Sequence, residues 1–182
     1  MPSEVIFQRL ALLAELSRRA QLGRTAIMKL LFFLQESAGV PLNYQFSLYS
    51  YGPFDSDVLA DISAAERLDV LKSSTVYYPS GMGYEYSPGR DVQKVKDLAG
   101  DFLDEHKDSI DWVLEHFSKK TAGELELLST ILFVAKHQNP STVAKLIEQV
   151  ELIKPHFSQG QIQKGFDELV SLKILRPHPV QQ

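Results

Sequence analysis

The sequence predicts a mainly α protein with a small β component (α+β), in which a winged-helix-like N-terminal unit precedes a C-terminal helix-turn-helix or winged-helix unit. Three observations predict this fold. Apolar residues recur every three or four positions along most of the chain, which is the period of helices packed on one face. Two short segments alternate between apolar and polar residues, as half-buried strands do. Glycine and proline break these patterns at intervals. We expect the segments 1–88, 89–120 (a long acidic connecting helix) and 121–182.

Two helices open the chain. Residues 4–20 repeat Ile6, Leu10, Leu13 and Leu16 on one face, and Gly23 ends the pattern. A second helix is predicted from Thr25, a good N-cap, to about Gly39. Its apolar face comprises Ile27, Leu30, Leu31 and Leu34.

A strand, a third helix and a hairpin come next. Residues 44–49 alternate as a strand does, and Gly52-Pro53 ends it. Asp55 or Ser56 caps the third helix. Residues 69–78 and 84–86 read as two strands joined by a glycine-rich turn. The lone strand thus falls between the second and third helices, whereas DNA-reading winged helices usually have it between the first and second. Four acids at 55–66 against Arg67 also make the third helix a poor partner for phosphates.

Residues 91–118 are predicted to form one long helix with an acidic stripe. The acids recur every three or four residues and so share one face: Asp101, Asp104, Asp108, Asp111 and Glu115. This stripe either docks a basic partner or is the solvated face of a helix. A basic cluster (Arg18, Arg19, Arg24 and Lys29) is a candidate for pairing with the stripe inside the molecule.

The C-terminal segment predicts three helices and a short closing strand over residues 173–175. Capping boxes begin at Thr121 and Ser158, and Asn139-Pro140 opens the helix between them. The last helix starts with residues that can read base edges: Gln159, Gln161, Gln163 and Lys164. Eight basic residues face six acidic ones over residues 119–176, a weak basic footprint. This helix start is therefore either a DNA contact or a solvated polar surface.

Two motifs resemble a known family. Residues 29–33 read Lys-Leu-Leu-Phe-Phe, and residues 49–54 read Tyr-Ser-Tyr-Gly-Pro-Phe. Over about residues 22–78 the sequence resembles the Panacea domain of SocA-like antitoxins, and more closely the YwgA-like proteins. The resemblance implies a small non-enzymatic module that binds other proteins. In the antitoxin members it implies a module that neutralises a toxin or presents it to a protease.

The second motif supplies the leading candidate site: Tyr49, Tyr51, Gly52, Pro53 and Phe54. Aromatic groups at a turn give a partner a large contact area. Alternatively, Gly-Pro shapes a tight turn and the aromatic rings fill a gap between helices. Exposure of Tyr51 or Phe54 distinguishes the two interpretations.

Composition and motif searches argue against other function classes. The net charge of −4 gives no general attraction to nucleic acid or anionic lipid, and the chain has no cysteine. The five histidines lack metal-ligand spacing, and no nucleophile or phosphate-binding motif occurs. We expect a cytoplasmic, non-enzymatic protein without cofactor, metal or membrane partner. A protein partner is the leading expectation, a DNA-binding regulator is the alternative, and a homodimer is possible.

Overall fold

A computed structural model describes residues 2–78 and 81–177, and it shows a mainly α fold with a small β component, as predicted. Met1, residues 178–182, and Pro79 and Ser80 of the predicted turn lie outside the described residues. In chain order the elements are α1 (Pro2–Arg19), β1 (Leu22–Gly23), α2 (Arg24–Glu36), β2 (Ser47–Tyr49), β3 (Gly52–Phe54), α3 (Ser56–Arg67), β4 (Leu71–Tyr78), β5 (Gly81–Pro88), α4 (Val92–Ala99), α5 (Phe102–Glu105), α6 (Lys107–Phe117), α7 (Ala122–His137), α8 (Val143–Ile153) and α9 (Gln159–Ser171).

The elements form two compact units. Unit 1 comprises Met1–Phe46 and Asp55–Lys120, and unit 2 comprises Ser47–Phe54 and Thr121–Gln182. This division differs from the predicted segments in two ways. The hairpin of β2 and β3 joins the C-terminal helices, and residues 89–120 join the N-terminal helices rather than forming a connector.

The core of unit 1 includes the apolar residues of α1, α2 and α6. The predicted apolar faces of α1 and α2 are buried, apart from Ile6, which is 44% exposed. Phe33 stacks on Phe117 of α6, with ring centroids 4.0 Å apart and an interplanar angle of 10°. Burying one such ring contributes about 2 kcal/mol by removing apolar surface from water. Residues 29–33, which carry the first family motif, are all buried, so that motif is part of the core.

The sheet of unit 1 has the order β1-β5-β4 and is antiparallel throughout. The predicted hairpin is confirmed as β4 and β5, in register from Leu71↔Pro88 to Tyr78↔Gly81. The expectation that no strand lies between the first two helices was wrong, because β1 pairs there with β5. At two residues, β1 is too short to show an alternating pattern. The sequence argument from strand position against a DNA-reading layout therefore fails. The other argument, the acidity of α3, still holds.

The predicted single helix over residues 91–118 is wrong, since three helices occupy this segment. Gly100 takes a φ of +61° and ends α4, which an L-residue in a continuing helix does not do. His106 has non-helical backbone angles and separates α5 from α6. In the sequence, the spacing of apolar and acidic residues stays helical across these breaks. The sequence pattern alone therefore does not reveal them.

Two predicted strands also differ from what the structure shows. The strand expected at 44–49 begins only at Ser47, because Tyr44 and Phe46 pack in unit 1, where the Phe46 ring lies 5.2 Å from that of Phe32. The closing strand expected at 173–175 is instead a helix end. Lys173 takes a φ of +60°, and the amides of Ile174 and Leu175 donate to Leu169 O. Both predicted capping boxes are confirmed.

Candidate functional site

The β2–β3 hairpin of unit 2 carries the predicted aromatic corner. Its register is Ser47↔Phe54, Leu48↔Pro53 and Tyr49↔Gly52, with Ser50 and Tyr51 forming the turn. Neither turn residue has a positive φ, whereas Gly52 has a φ of +87°. The three pairs are one to one, so the hairpin has a two-residue turn, and the positive φ falls on the glycine that follows it. Glycine is thus required at position 52 by the backbone itself.

Gly52 and Pro53 are structural residues. Both are buried, and the hairpin packs against α7. A Cβ atom on residue 52 would lie 3.0 Å from Thr130 Oγ1 and 3.2 Å from Ser129 Oγ. The alternative that Gly-Pro shapes a tight turn therefore describes this half of the motif.

The tyrosines of the motif point to solvent. Tyr49 is 63% exposed and Tyr51 is 72% exposed, while Phe54 is half-buried with its ring 5.1 Å from that of Tyr49. We call Tyr49, Ser50 and Tyr51 the tyrosine turn. Large aromatic side chains that neither fill the core nor cover a gap are typical of binding surfaces.

A buried lysine holds the backbone of the tyrosine turn. Lys154, at the C-terminal end of α8, donates from Nζ to Tyr49 O (3.2 Å) and to Ser50 O. The same Nζ lies 2.9 Å from Glu126 Oε1 on α7. The ammonium group thus donates two hydrogen bonds to carbonyls and forms an ion pair with Glu126, and these contacts compensate its burial within unit 2.

Sequence reasoning missed Lys154 and Glu126. The signal was present for Glu126, which interrupts the apolar run of α7 between Leu125 and Leu127. A carboxylate in such a run is almost always paired when buried. Nothing in the sequence identifies its partner, which lies 28 residues further along the chain (126 to 154).

His156 lies at the solvent edge of this anchor. Its Nε2 atom is 3.5 Å from Glu126 Oε1, and its side chain is 57% exposed. Its ring contacts that of Phe157, with centroids 4.3 Å apart. The carboxylate of Glu126 thus faces a buried ammonium group and an exposed imidazole.

The acidic stripe is divided over several elements of unit 1. Asp101 precedes α5, Asp104 lies in α5, and Asp108, Asp111 and Glu115 lie in α6. All are exposed except Asp111, which is half-buried. The five acids therefore do not line one continuous helical face.

Asp111 is neutralised within the molecule. Its carboxylate pairs with Lys107 Nζ and with Arg19 Nη1, each at 2.5 Å. Hydrogen bonds from Lys107 and then Arg19 lower the pKa of Asp111. The predicted pairing of the basic cluster with the acidic stripe is confirmed for Arg19. Arg18 pairs instead with Glu15, and Arg24 lies over the Tyr84 ring.

A cleft of about 790 Å³ in unit 1 brings several of these charges together. Asp101, Asp104 and Asp111 line it beside cations from three helices: Arg18, Arg19, Lys96 and Lys107. Because both acids and bases line its wall, the cleft presents no uniform charge to a ligand.

The glutamines at the start of α9 are held by neighbouring residues. Gln159 Nε2 donates to Glu151 Oε2 at 2.7 Å, and Gln163 Nε2 donates to Asp167 Oδ1 at 2.8 Å. Gln161 Oε1 accepts from Ser158 N at 2.9 Å as part of the capping box. Lys164 is exposed. Reading an adenine edge with these amides would first require breaking their internal hydrogen bonds.

Within residues 2–78 and 81–177, no group of three or more His, Cys, Asp or Glu side chains is arranged to hold a metal ion. In the same part of the chain, no helix has the length and apolarity needed to cross a bilayer. In comparisons with known proteins, no protein-family model matches the sequence and no curated protein matches it. The resemblance to Panacea and YwgA-like proteins stays a prediction.

Proposed function

We propose that this protein is a non-enzymatic protein-binding module, an adaptor or an antitoxin-like regulator, whose contact surface is the tyrosine turn. One observation carries the proposal. Two tyrosines, 63% and 72% exposed, stand at the tip of a hairpin whose backbone is held by a buried lysine and a tightly packed glycine.

The arrangement suits recognition because the backbone is already ordered before a partner arrives. Binding costs free energy when it immobilises loops, and a pre-organised turn avoids that cost. Tyrosine adds a large, stiff side chain with a hydroxyl that can donate or accept. We expect each of Tyr49 and Tyr51 to contribute about 2 kcal/mol to binding, the scale of residues central to interfaces.

The exposed acids of unit 1 are a second candidate contact surface. Asp101, Asp104, Asp108 and Glu115 are open to solvent, whereas Asp111 is occupied by Arg19 and Lys107. A basic partner would approach such a surface faster at low ionic strength. The antitoxin-like role rests on the sequence resemblance alone.

DNA binding through α9 is the alternative proposal. The exposure of Lys164 and the position of the glutamines at a helix start support it. The internal hydrogen bonds of Gln159, Gln161 and Gln163 count against it.

A pull-down from the native cell, with and without nuclease, separates these proposals. Wild-type protein and a Tyr49→Ser/Tyr51→Ser variant serve as baits, with Leu98→Ser as a control at an exposed apolar residue of unit 1. The proposal predicts one stoichiometric protein that survives nuclease, is lost with the double variant and is kept with the control. Recovery of DNA alone, equal for all three baits, would contradict it and favour α9.

A further inference from the structure

The free edge of β4 in unit 1 is an unused hydrogen-bonding surface. In the part of the chain that the structure describes, β4 pairs only with β5. From Lys72 to Tyr77 every residue is exposed except the half-buried Val76. Natural edge strands are usually shielded by proline, several charges or a bulge, yet residues 71–78 contain one charge and no proline.

Pro88 fixes which residues point to this free edge. Proline has no N–H, so the Leu71↔Pro88 pair cannot exchange two hydrogen bonds. Because such pairs alternate along an antiparallel ladder, Lys72, Ser74 and Val76 bond to β5. The amides and carbonyls of Ser73, Thr75 and Tyr77 point outward, and they need a partner strand or water.

Two further contacts support this assignment. Gly89 N donates to Val70 O at 2.8 Å, which places a bonded pair directly beside Leu71↔Pro88. In addition, a Cβ atom on Gly23 of β1 would lie 3.2 Å from Tyr84 O, where Tyr84 is opposite Thr75. The carbonyl of Tyr84 therefore lies on the side of β1 and away from β4, as the alternation requires.

We propose that this edge pairs with the same edge of a second copy of the chain, antiparallel about a two-fold axis at Thr75. Leu71 is only 1% exposed, so the base of the strand is closed to a partner. Pairing is thus confined to residues 72–78, whose midpoint is Thr75. Because the backbone groups of Thr75 point outward, Thr75 of each copy exchanges both hydrogen bonds with the other.

The side chains fit this register. Lys72, the one charge in β4, faces position 78 of the second copy, so no like charges meet. Thr75 faces Thr75, which is a favourable cross-strand pair, and Ser73 faces Tyr77. The Thr75 pair and the absence of repulsion favour a second copy over an unrelated strand.

Self-pairing also covers an exposed aromatic group. Tyr77 is 80% exposed and shares a face with Met82 (61%) and Tyr84 (39%) on the opposite strand. A second copy would place its Ser73 and Thr75 beside the Tyr77 ring. One strand pair buries less than the roughly 1,600 Å² of a standard interface, so the dimer is weak and depends on concentration.

Disulfide trapping tests the register directly, because the natural chain has no cysteine. In Thr75→Cys protein the two thiols would lie on Cα atoms about 5.5 Å apart, within disulfide reach. In the control Ser74→Cys they would be offset by two residues along the strands and out of reach. Both variants are full-length and are oxidised under the same mild conditions at matched concentrations.

Sedimentation equilibrium of the wild type and of charged variants accompanies the trapping. We expect a reversible wild-type dimer and at least about tenfold weaker association for Thr75→Lys and Thr75→Glu separately, since like charges then meet at the axis. An equimolar mixture of the two should associate again as a heterodimer. Circular dichroism confirms that each variant is folded.

Preferential disulfide formation by Thr75→Cys, together with heterodimer formation in the mixture, would establish the pairing. A wild type that stays monomeric up to about 1 mM would overturn it. So would equal trapping of both cysteine variants, or a mixture that remains monomeric. The tyrosine turn is unchanged in every variant, so this result is independent of the proposed function.

Discussion

Lys154 Nζ lies 2.9 Å from Glu126 Oε1, and the two side chains are only 3% and 10% exposed. The pair joins α8 to α7, and Lys154 then reaches the carbonyls of Tyr49 and Ser50. A polar cluster of this kind costs desolvation but restricts its members to a particular geometry. We infer that the cluster determines where the tyrosine turn is presented.

Replacing Lys154 by methionine should destabilise the protein by about 3 kcal/mol, because it leaves the Glu126 carboxylate buried without its cation. The control is Lys145→Met, also on α8, whose partner Glu148 is exposed. That change should cost less than about 1 kcal/mol. Urea unfolding monitored by circular dichroism measures the free energy of unfolding of both variants.

The double variant Lys154→Met/Glu126→Leu separates the effect of the ion pair on stability from its effect on the tyrosine turn. Removing both charges should recover part of the stability lost in Lys154→Met, since an apolar pair carries no desolvation cost. Binding of the protein partner should not recover, because the anchor of the tyrosine turn is still missing. Equal stability of the single and double variants would show that Glu126 is not a buried, paired charge.

Gly52→Ala should destabilise the protein by about 1–3 kcal/mol, through a positive φ and the approach to Thr130 Oγ1. Gly123→Ala is the matched control in unit 2. A Cβ atom there meets nothing within 4 Å, and alanine favours the helix. The free energy of unfolding should therefore stay the same or rise by up to about 1 kcal/mol for Gly123→Ala. Equal effects of the two substitutions would contradict the requirement for glycine at position 52.

Glu15 provides a pH-dependent test in unit 1. Hydrogen bonds from Arg18 and then Lys96 lower the pKa of Glu15 below its ordinary 4.5, against an opposing effect of burial. A depressed folded-state pKa contributes stability that is present above pH 4.5 and is lost as the pH falls through the folded pKa.

The wild type should accordingly be more stable than Glu15→Gln at about pH 7, and the difference should shrink at about pH 3. Urea unfolding of both proteins at the two pH values measures it. A difference that grows in acid would mean that burial, rather than the pairing with Arg18 and Lys96, dominates the ionisation of Glu15.

The sequence was most informative where the chemistry is local. Helix N-caps depend on residues three apart, and the boxes at Thr121 and Ser158 formed as predicted. Two other predicted caps were wrong, since Gly23 rather than Thr25 caps α2 and Thr142 rather than Asn139 caps α8. The faces of α1 and α2 and the β4–β5 hairpin likewise follow from short-range patterns. The tyrosine turn was a candidate from its residue types alone, although its exposure was not deducible.

The remaining features depend on contacts between distant residues. Residues 47–54 belong to unit 2 because Gly52 packs on α7 and Lys154 binds the turn, and neither contact leaves a periodic signal. The break at Gly100 is invisible for a different reason. A glycine within an amphipathic pattern is compatible with a continuing helix, and only its positive φ shows otherwise.

The most direct test of the protein-binding proposal is photocrosslinking in the native cell from a benzophenone amino acid at residue 51. The same probe at Leu98, which is 55% exposed, is the control, and one at Gln161 tests the DNA alternative. The proposal predicts one discrete protein adduct from position 51 and none from position 98. No adduct from position 51, with a nucleic-acid adduct from position 161, would contradict it.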